Sequence, residues 1–533
     1  RDTRVSWSYD EATGVVRTTF EEEVDVKEPS LSPEPLMGLF PHQWKHTDVA
    51  LTPHQYATSR GVMRLMEGHR FTTELTFHGI LPTLPDVGAH DRARLQAYLG
   101  ELPQTATALA TTADTYTSGK AANKYAQALM IACQVGSDDV RDATLSLLKG
   151  GLQDWFSATG DSAPLFAYLR DWGTVVGYPA GFGSDAQLND HHFHWGYLIG
   201  AAAAVALHDP DWGKDSAYGG LVKLLVRDTA NPVRGDALFP FLRQFDPYEG
   251  HSWASGHANF EAGNNQESSS EAMHFAASLI LWGEATGNRT IRDLGVYLYT
   301  TEGEAIAQYW FNADGTNFPA GAGHPVYTIL WSNGGSYATW WTAAPEAIHG
   351  IEFMPLTGAS LYLGRRPEAL ETSYTHMVQQ IGGPEGSKPS PDAWVDIIWN
   401  AQALYDPNAA IAKFEAQANT YAVEAGESRA HTYHWLYSLA ALGPVDASIT
   451  ANTATYAVFG AGSARTYVAY NAACDAAREV TFSDGTKLQV PPHTLLAWRG
   501  GQEVSKSRIG SSTCAGSGAP ACTVSDTGLG GLR

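Results

Sequence analysis

Hydrophobic spacing changes period twice along this chain of 533 residues, and that restricts the fold more than any other feature. Residues 15–20 are rich in β-branched and aromatic side chains. Residues 71–77 alternate polar with apolar positions, as strands with one buried face do. Pro33, Pro35, Gly38, Gly61 and Gly68 punctuate this region with turn signals. After Pro85 the spacing becomes helical: residues 92–102 open the stretch, and residues 125–134, 139–155, 194–207 and 269–286 carry apolar side chains three and four positions apart. Strand character returns after Ser448, at residues 454–458, 464–470, 478–482, 488–490 and 494–497, with Ser483-Asp484-Gly485 as a hairpin turn.

A chain of this length exceeds what one core supports. The expected architecture is mixed and mainly α, in four parts: a β-sandwich portion over 1–90, a helical domain over 91–447, a small antiparallel β-domain over 448–504, and a Gly/Ser-rich, poorly ordered tail over 505–533. Ala-rich helices alternating with long polar-aromatic loops point to an α/α toroid, with an irregular helical bundle as the alternative.

Charge narrows the partners. The net charge is −22 and the basic residues are scattered, which argues against nucleic acid and against anionic polymers. A neutral substrate fits that field. No run of about 18 apolar residues occurs, so no membrane span is expected. The chain opens Arg1-Asp2-Thr3 without a leader, and is read as processed or truncated. Of the four cysteines, Cys514 and Cys522 close a short Gly/Ala/Pro loop, for which a disulfide and two free thiols are both open readings. Cys133 reads as a buried thiol in a helix, and Cys474 has no evident partner. No CxxC is present, so neither a thiolate zinc site nor any other metal or cofactor is expected.

Two dense polar-aromatic blocks carry the chemistry. Residues 189–197 place Asp190, His191, His192 and His194 beside Phe193, Trp195 and Tyr197. The second block runs from residues 245–253, with Glu249, His251 and Trp253, to residues 264–272, with Asn265, Glu267 and Glu271. Carboxylates bedded among aromatic rings suit sugar hydrolysis: acids move protons, and rings cover the apolar faces of pyranoses. Asp190 precedes a helix that begins near His191 or His192, so it reads as an N-cap and also as a general acid. Asp190 and His194, four apart, would share a helix face. A metal site there lacks an HExxH or cysteine, leaving His192 and His194 as sugar contacts or acid-orienting groups. Glu267 and Glu271 would likewise share a face of a helix capped by Asn264 or Asn265; solvated surface glutamates are the plain alternative. In an inverting hydrolase one carboxylate activates water across the ring from the acid, and Glu267 is the candidate base. Tyr116 and Lys120 are placed at a cleft rim, and Trp340 with Trp341 forms a third aromatic block. His349 is read as a core histidine, and Trp253 as either packed or sugar-stacking.

These blocks resemble glycoside hydrolase family 81, the endo-β-1,3-glucanases. The matching segments are residues 189–197 (NDHHFHWGY), 245–256 (FDPYEGHSWASG), 264–272 (NNQESSSEA) and 348–355 (IHGIEFMP), with weaker matches at 39–45, 116–120 and 432–439. The resemblance implies an N-terminal β-sandwich, an (α/α)6 toroid and net inversion. Carried over, Asp190 is the general acid, Glu267 the general base, Glu271 an essential neighbouring carboxylate, and His194 a glucan contact. The chain departs from the family pattern in a short N-terminal sandwich and in an extra acid within residues 246–249. The expected protein is a secreted, monomeric endo-1,3-β-glucanase acting on β-1,3-glucan. A polysaccharide lyase on a similar toroid and a non-catalytic glucan-binding protein are the rivals.

Overall fold

The structure, a computed structural model, describes residues 2–28, 34–103, 109, 113–157, 164–381, 394–512 and 514. Two three-stranded antiparallel sheets form the N-terminal region. Asp2–Asp10, Val15–Glu23 and Arg70–Thr76 lie in that order in one; Leu36–Leu39, Gly61–Glu67 and Gln55–Thr58 make the other. Period-two alternation turns Phe20 and Phe71 to one face, where they share a small core with Met37, Leu39 and Met66 from the second sheet. Trp7 stacks on Tyr297 at 4.4 Å and so fastens the first sheet to the helices.

Helices form where the spacing predicts them, but the N-terminal side of one is longer. The expected 125–134 element is Thr115–Val135. Asp114 caps it, accepting from the N–H groups of Tyr116 and Thr117, and Gly136 ends it in the left-handed region at φ 64°. The added turns carry Tyr116 and Lys120. His191–His208 is buried on every side and packs against both Thr115–Val135 and Ser269–Thr286, which in turn packs on Arg289–Tyr309. Gly196 permits the approach to Ser269–Thr286, because a Cβ there would meet Phe275 Cα at 2.9 Å. Arg429–Leu442 contacts both Thr115–Val135 and Val395–Gln402, and the latter contacts Pro345–Gly350.

The C-terminal region is a four-stranded antiparallel sheet of Tyr456–Phe459, Thr466–Asn471, Thr494–Arg499 and Gln502–Arg508. It packs with the hairpin of Arg478–Thr481 and Lys487–Val490, which turns at Asp484-Gly485. Gln502–Arg508 is a correction: order extends beyond Val504, because this strand pairs with Thr494–Arg499. The segment after it returns beside His493 and donates from Ser511 N to the Leu207 carbonyl, satisfying the end of His191–His208. That return also corrects the disulfide. Cys514 bonds to Cys474, with Cα atoms 5.2 Å apart, because both flank the His493 turn. Cys522 lies outside the described residues. Cys133 is disulfide-bonded as well, not a free thiol. No helix among the described residues is long and apolar enough to cross a membrane.

Asp228, fully buried, ties these layers together. It accepts from Thr174 Oγ1 (2.6 Å), Val175 N (2.9 Å), Trp195 Nε1 (2.7 Å) and Arg243 Nη2 (3.0 Å), and pairs with His191 Nδ1 (2.7 Å). Burial opposes its charge, but Arg243, His191 and the hydroxyl of Thr174 outweigh burial and hold its carboxyl well below the usual range. Asp228→Ala strands several of those donors in the core. The expected loss is about 3–5 kcal/mol, read as a clear fall in the thermal-unfolding midpoint at pH 7; an unchanged midpoint would contradict this role.

Candidate active site

Asp190 stands at the N-cap position of His191–His208, yet its side chain caps nothing. Its backbone is in the left-handed region, φ 62°, a conformation Asp tolerates at a cost of about 1–2 kcal/mol. Two bonds hold it there: Asp190 N donates to Ala254 O at 2.9 Å, and His194 N donates to Asp190 O at 3.0 Å. The carboxyl is thereby released from capping and lines a cavity of about 510 Å³.

Glu267 and Glu271 line the same cavity. They do not share a helix. Asn265–Gln266 is a short strand paired with Ile329–Trp331, and the helix begins at Ser269 with Ser268 as N-cap. Glu267 therefore sits in the connection, and Glu271 in the first helical turn. The expected caps serve elsewhere, since Asn264 bridges to the backbone of Ser255. Glu267 accepts from Trp340 N at 3.1 Å. Glu271, 3% exposed, accepts from the Tyr197 hydroxyl at 2.6 Å.

The three carboxyls perturb one another. Burial, then the charges of Glu271 and Glu267, push Asp190 well above the ordinary carboxylate range. Burial pushes Glu267 up to about 7, against the pull of the Thr339 hydroxyl and Trp340 N–H and with a further push from Glu271. Glu271 is also raised by burial, while Lys120 and the hydroxyls of Ser268, Tyr197 and Tyr116 pull it down. Carboxyls kept protonated to different degrees in one cleft are the arrangement that acid–base chemistry uses.

The rest of the wall sorts the remaining candidates. Tyr116, Lys120, His194 and Asn265 line the cavity. Lys120 Nζ donates to Glu424 Oε1 at 2.6 Å. His194 pairs with the Thr115 hydroxyl at 2.7 Å, and burial pushes its imidazole down to about 3, so it is neutral. His192, His251 and Trp253 lie off this wall. His192 meets Gln266 Nε2 at 3.2 Å in the interior. His251 is fully buried against Trp253 and Trp310, and Trp253 lies under Arg60, which also pairs with Glu249. His191 bridges Asp228 and the Ser184 carbonyl. No group of three or more His, Cys, Asp or Glu placed to hold a metal occurs among the described residues. His349 is buried on Ser373 and Tyr337.

Besides Tyr116 and Phe193, the wall carries Phe182, Phe260, the adjacent pair Trp340 and Trp341, and Trp394, which come from four separate places in the sequence. Trp340 and Trp341 are 54% and 52% exposed. Of these, Phe182, Phe260 and Trp394 have no local motif to announce them. A larger cavity of about 570 Å³ lies between the N-terminal sheets and Arg289–Tyr309. Its Glu304 pairs with His46 and Arg366, and its Glu74 with Arg17, so size does not identify the chemistry.

A family model described as the glycosyl hydrolase family 81 C-terminal domain matches residues 91–437. The chain is 48% identical over 495 residues to a glucan endo-1,3-beta-D-glucosidase of Thermobifida fusca (strain YX), covering 92% of this chain and 64% of that protein. It is 47% identical over 503 residues to one of Acetivibrio thermocellus, covering 94% and 64%. It is similar to the solved structure of a family 81 glycoside hydrolase from Clostridium thermocellum, CtLam81A in a mutant form. The TM-score is 0.89 at 47% identity, covering 94% of this chain and 68% of that one. The chain thus spans 64% of the length of each of the two curated relatives.

The raised pKa of Glu267 has a sign that stability can report. An acid whose folded-state value lies above its unfolded value destabilises the fold once ionised, so the penalty grows as pH rises toward about 7 and is complete above it. Glu267→Gln removes that penalty. The variant is expected to gain more in thermal midpoint over wild type at pH 8 than at pH 5; an equal difference at both would show that Glu267 ionises normally.

Proposed function

The chain belongs to glycosyl hydrolase family 81, and from that premise we propose that it cleaves internal 1,3-β-D-glucosidic bonds of β-1,3-glucan with inversion at the anomeric carbon. The observation that carries this reading is the cavity shared by Asp190, Glu267 and Glu271 beneath exposed tryptophans. Asp190 acts as the general acid and protonates the glycosidic oxygen. Glu267 acts as the general base and takes a proton from the water that attacks the opposite face of the ring. Glu271, held by Tyr197, sets the field that both groups feel. Each ionisation makes the next harder, so a charged Glu267 keeps the proton on Asp190, which is the pairing the reaction needs. Tyr116, Lys120, His194 and Asn265 contact the glucan, and the aromatic wall stacks on its rings. His192, His251 and Trp253 support the site from behind.

The toroid reading is supported by helix neighbours that run in a ring, from Thr115–Val135 through His191–His208 and Ser269–Thr286 to Pro345–Gly350, Val395–Gln402, Arg429–Leu442 and back. The link between Ser269–Thr286 and the Pro345–Gly350 region is the hydrogen bonding of Ser268, Ser269 and Ser270. On this reading residues 91–447 are an (α/α)6 domain, 1–90 a β-sandwich portion, and the β-domain that starts at residue 448 includes the strand Gln502–Arg508; the protein is secreted and monomeric. A lyase would need cationic groups to neutralise a uronate. Among the described residues the wall offers Lys120 alone, already paired with Glu424.

The test is incubation with laminarin, cellulose and xylan, following fresh products by proton NMR. Laminarin alone should be cut, with α-anomers appearing first from β-linkages. Initial β-anomers would refute inversion, and no reducing ends would refute the activity.

A further inference from the structure

Glu352 is a buried acid that the proposed reaction leaves without a task. It is 2% exposed and follows Pro345–Gly350. Its Oε2 accepts from Ser269 N at 3.3 Å and from the Ser269 hydroxyl. Its Oε1 is sealed from solvent and has no hydrogen-bond partner among the described residues. The neighbouring segment receives the other two serines. Ser268 Oγ donates to Ile351 O at 3.2 Å; Ser270 Oγ donates to Ile351 O at 3.0 Å and to Met354 O at 2.5 Å. Ser268, Ser269 and Ser270 are all the residues that separate Glu267 from Glu271. Every residue of that spacer is thus fastened to residues 351–354.

We propose that Glu352 is a positioning residue: with the backbone of residues 351–354, its buried carboxyl locks the three-serine spacer, and so the placement of Glu267 relative to Glu271. The inference rests on the glucanase reading above. The titratable groups that act on it are Glu267 and Glu271 across the spacer, and its own charge would act on the buried Tyr362 phenol. Burial, then the charges of Glu267 and Glu271, push its carboxyl well up, against the pull of the Ser269 hydroxyl and N–H. An ionised Glu352 would be a buried, poorly compensated charge and would make Glu267 a worse base by keeping it protonated. As a neutral acid it can accept from Ser269 and keep its own proton on Oε1.

The experiment compares wild type, Glu352→Gln and Glu352→Ala as full chains, measuring kcat, KM and the pH profile of kcat/KM on laminarin and on a defined β-1,3-gluco-oligosaccharide. A neutral amide of the same shape should suffice, so Glu352→Gln is expected to keep kcat within about threefold, with the acidic limb unmoved. Glu352→Ala releases the spacer and is expected to lower kcat at least about tenfold with KM nearly unchanged. Wild-type kcat in the Ala variant overturns the proposal. So does a folded Gln variant that falls as far as the Ala variant, which would mean the acid proton itself is needed. So does an acidic limb displaced to lower pH in the Gln variant, which would mean Glu352 is charged. If the Ala variant fails to fold by circular dichroism, the Gln profile decides alone. A wild-type chain inactive on laminarin overturns the glucanase reading and this inference together, whereas active wild type with contrary variants overturns this inference only.

Discussion

Three carboxyl groups share one desolvated cavity, and each that ionises raises the cost for the next. Two unit charges about 6.5–9.5 Å apart near a protein surface repel by about 2 kcal/mol, enough to separate otherwise equal acids by roughly one and a half pH units. Burial adds to this for Asp190, Glu267 and Glu271 alike. What distinguishes them is local: Lys120 and several hydroxyls favour charge on Glu271, the Thr339 hydroxyl and the Trp340 N–H favour it on Glu267, and Asp190 has burial and two like charges against it. On the proposed mechanism, these differences order three chemically similar groups into a proton donor, a proton acceptor and a fixed field.

Holding that arrangement costs stability, and the surrounding structure offsets it. Asp190 occupies a left-handed backbone conformation at a helix start without using its side chain as a cap. The helix it opens is anchored by Asp228, which gathers bonds from the hairpin of Leu165–Leu169 and Thr174–Tyr178, from Trp195 and from Arg243. At its far end the C-terminal segment closes the helix through Ser511 and Leu207. Strain at a site persists only where neighbours overdetermine it, and here they reach it from both ends of the helix.

Much of this was legible in the chain itself, and the failures have physical reasons. Period three-four spacing located Ser269–Thr286 to the residue, because apolar faces are what spacing records. It could not tell that Glu267 precedes the helix, since a two-residue strand at Asn265–Gln266 leaves no periodic trace. Asp190 was marked by its setting among aromatic residues, but its freedom from capping depends on a bond to Ala254, far away in sequence. His251 and Trp253 looked like site residues because polar and aromatic types stand together there. They face the interior, where His251 packs against Trp310. Phe182, Phe260 and Trp394 reach the wall singly from separate loops. Cysteine spacing left the short Cys514–Cys522 loop open, whereas the strand Gln502–Arg508 delivers Cys514 to Cys474; connectivity follows from tertiary return paths that spacing does not encode.

The central claim is a donor and an acceptor on opposite faces of one sugar ring. A crystal structure of Glu267→Gln with an uncleaved β-1,3-gluco-oligosaccharide across the cleavage point tests it directly. The account predicts the Asp190 carboxyl within hydrogen-bond reach of the glycosidic oxygen. It also predicts an ordered water on the other face beside the substituted side chain, with the two groups about 6.5–9.5 Å apart. A separation near about 5 Å with no room for water, or both groups on the same face of the ring, would contradict it.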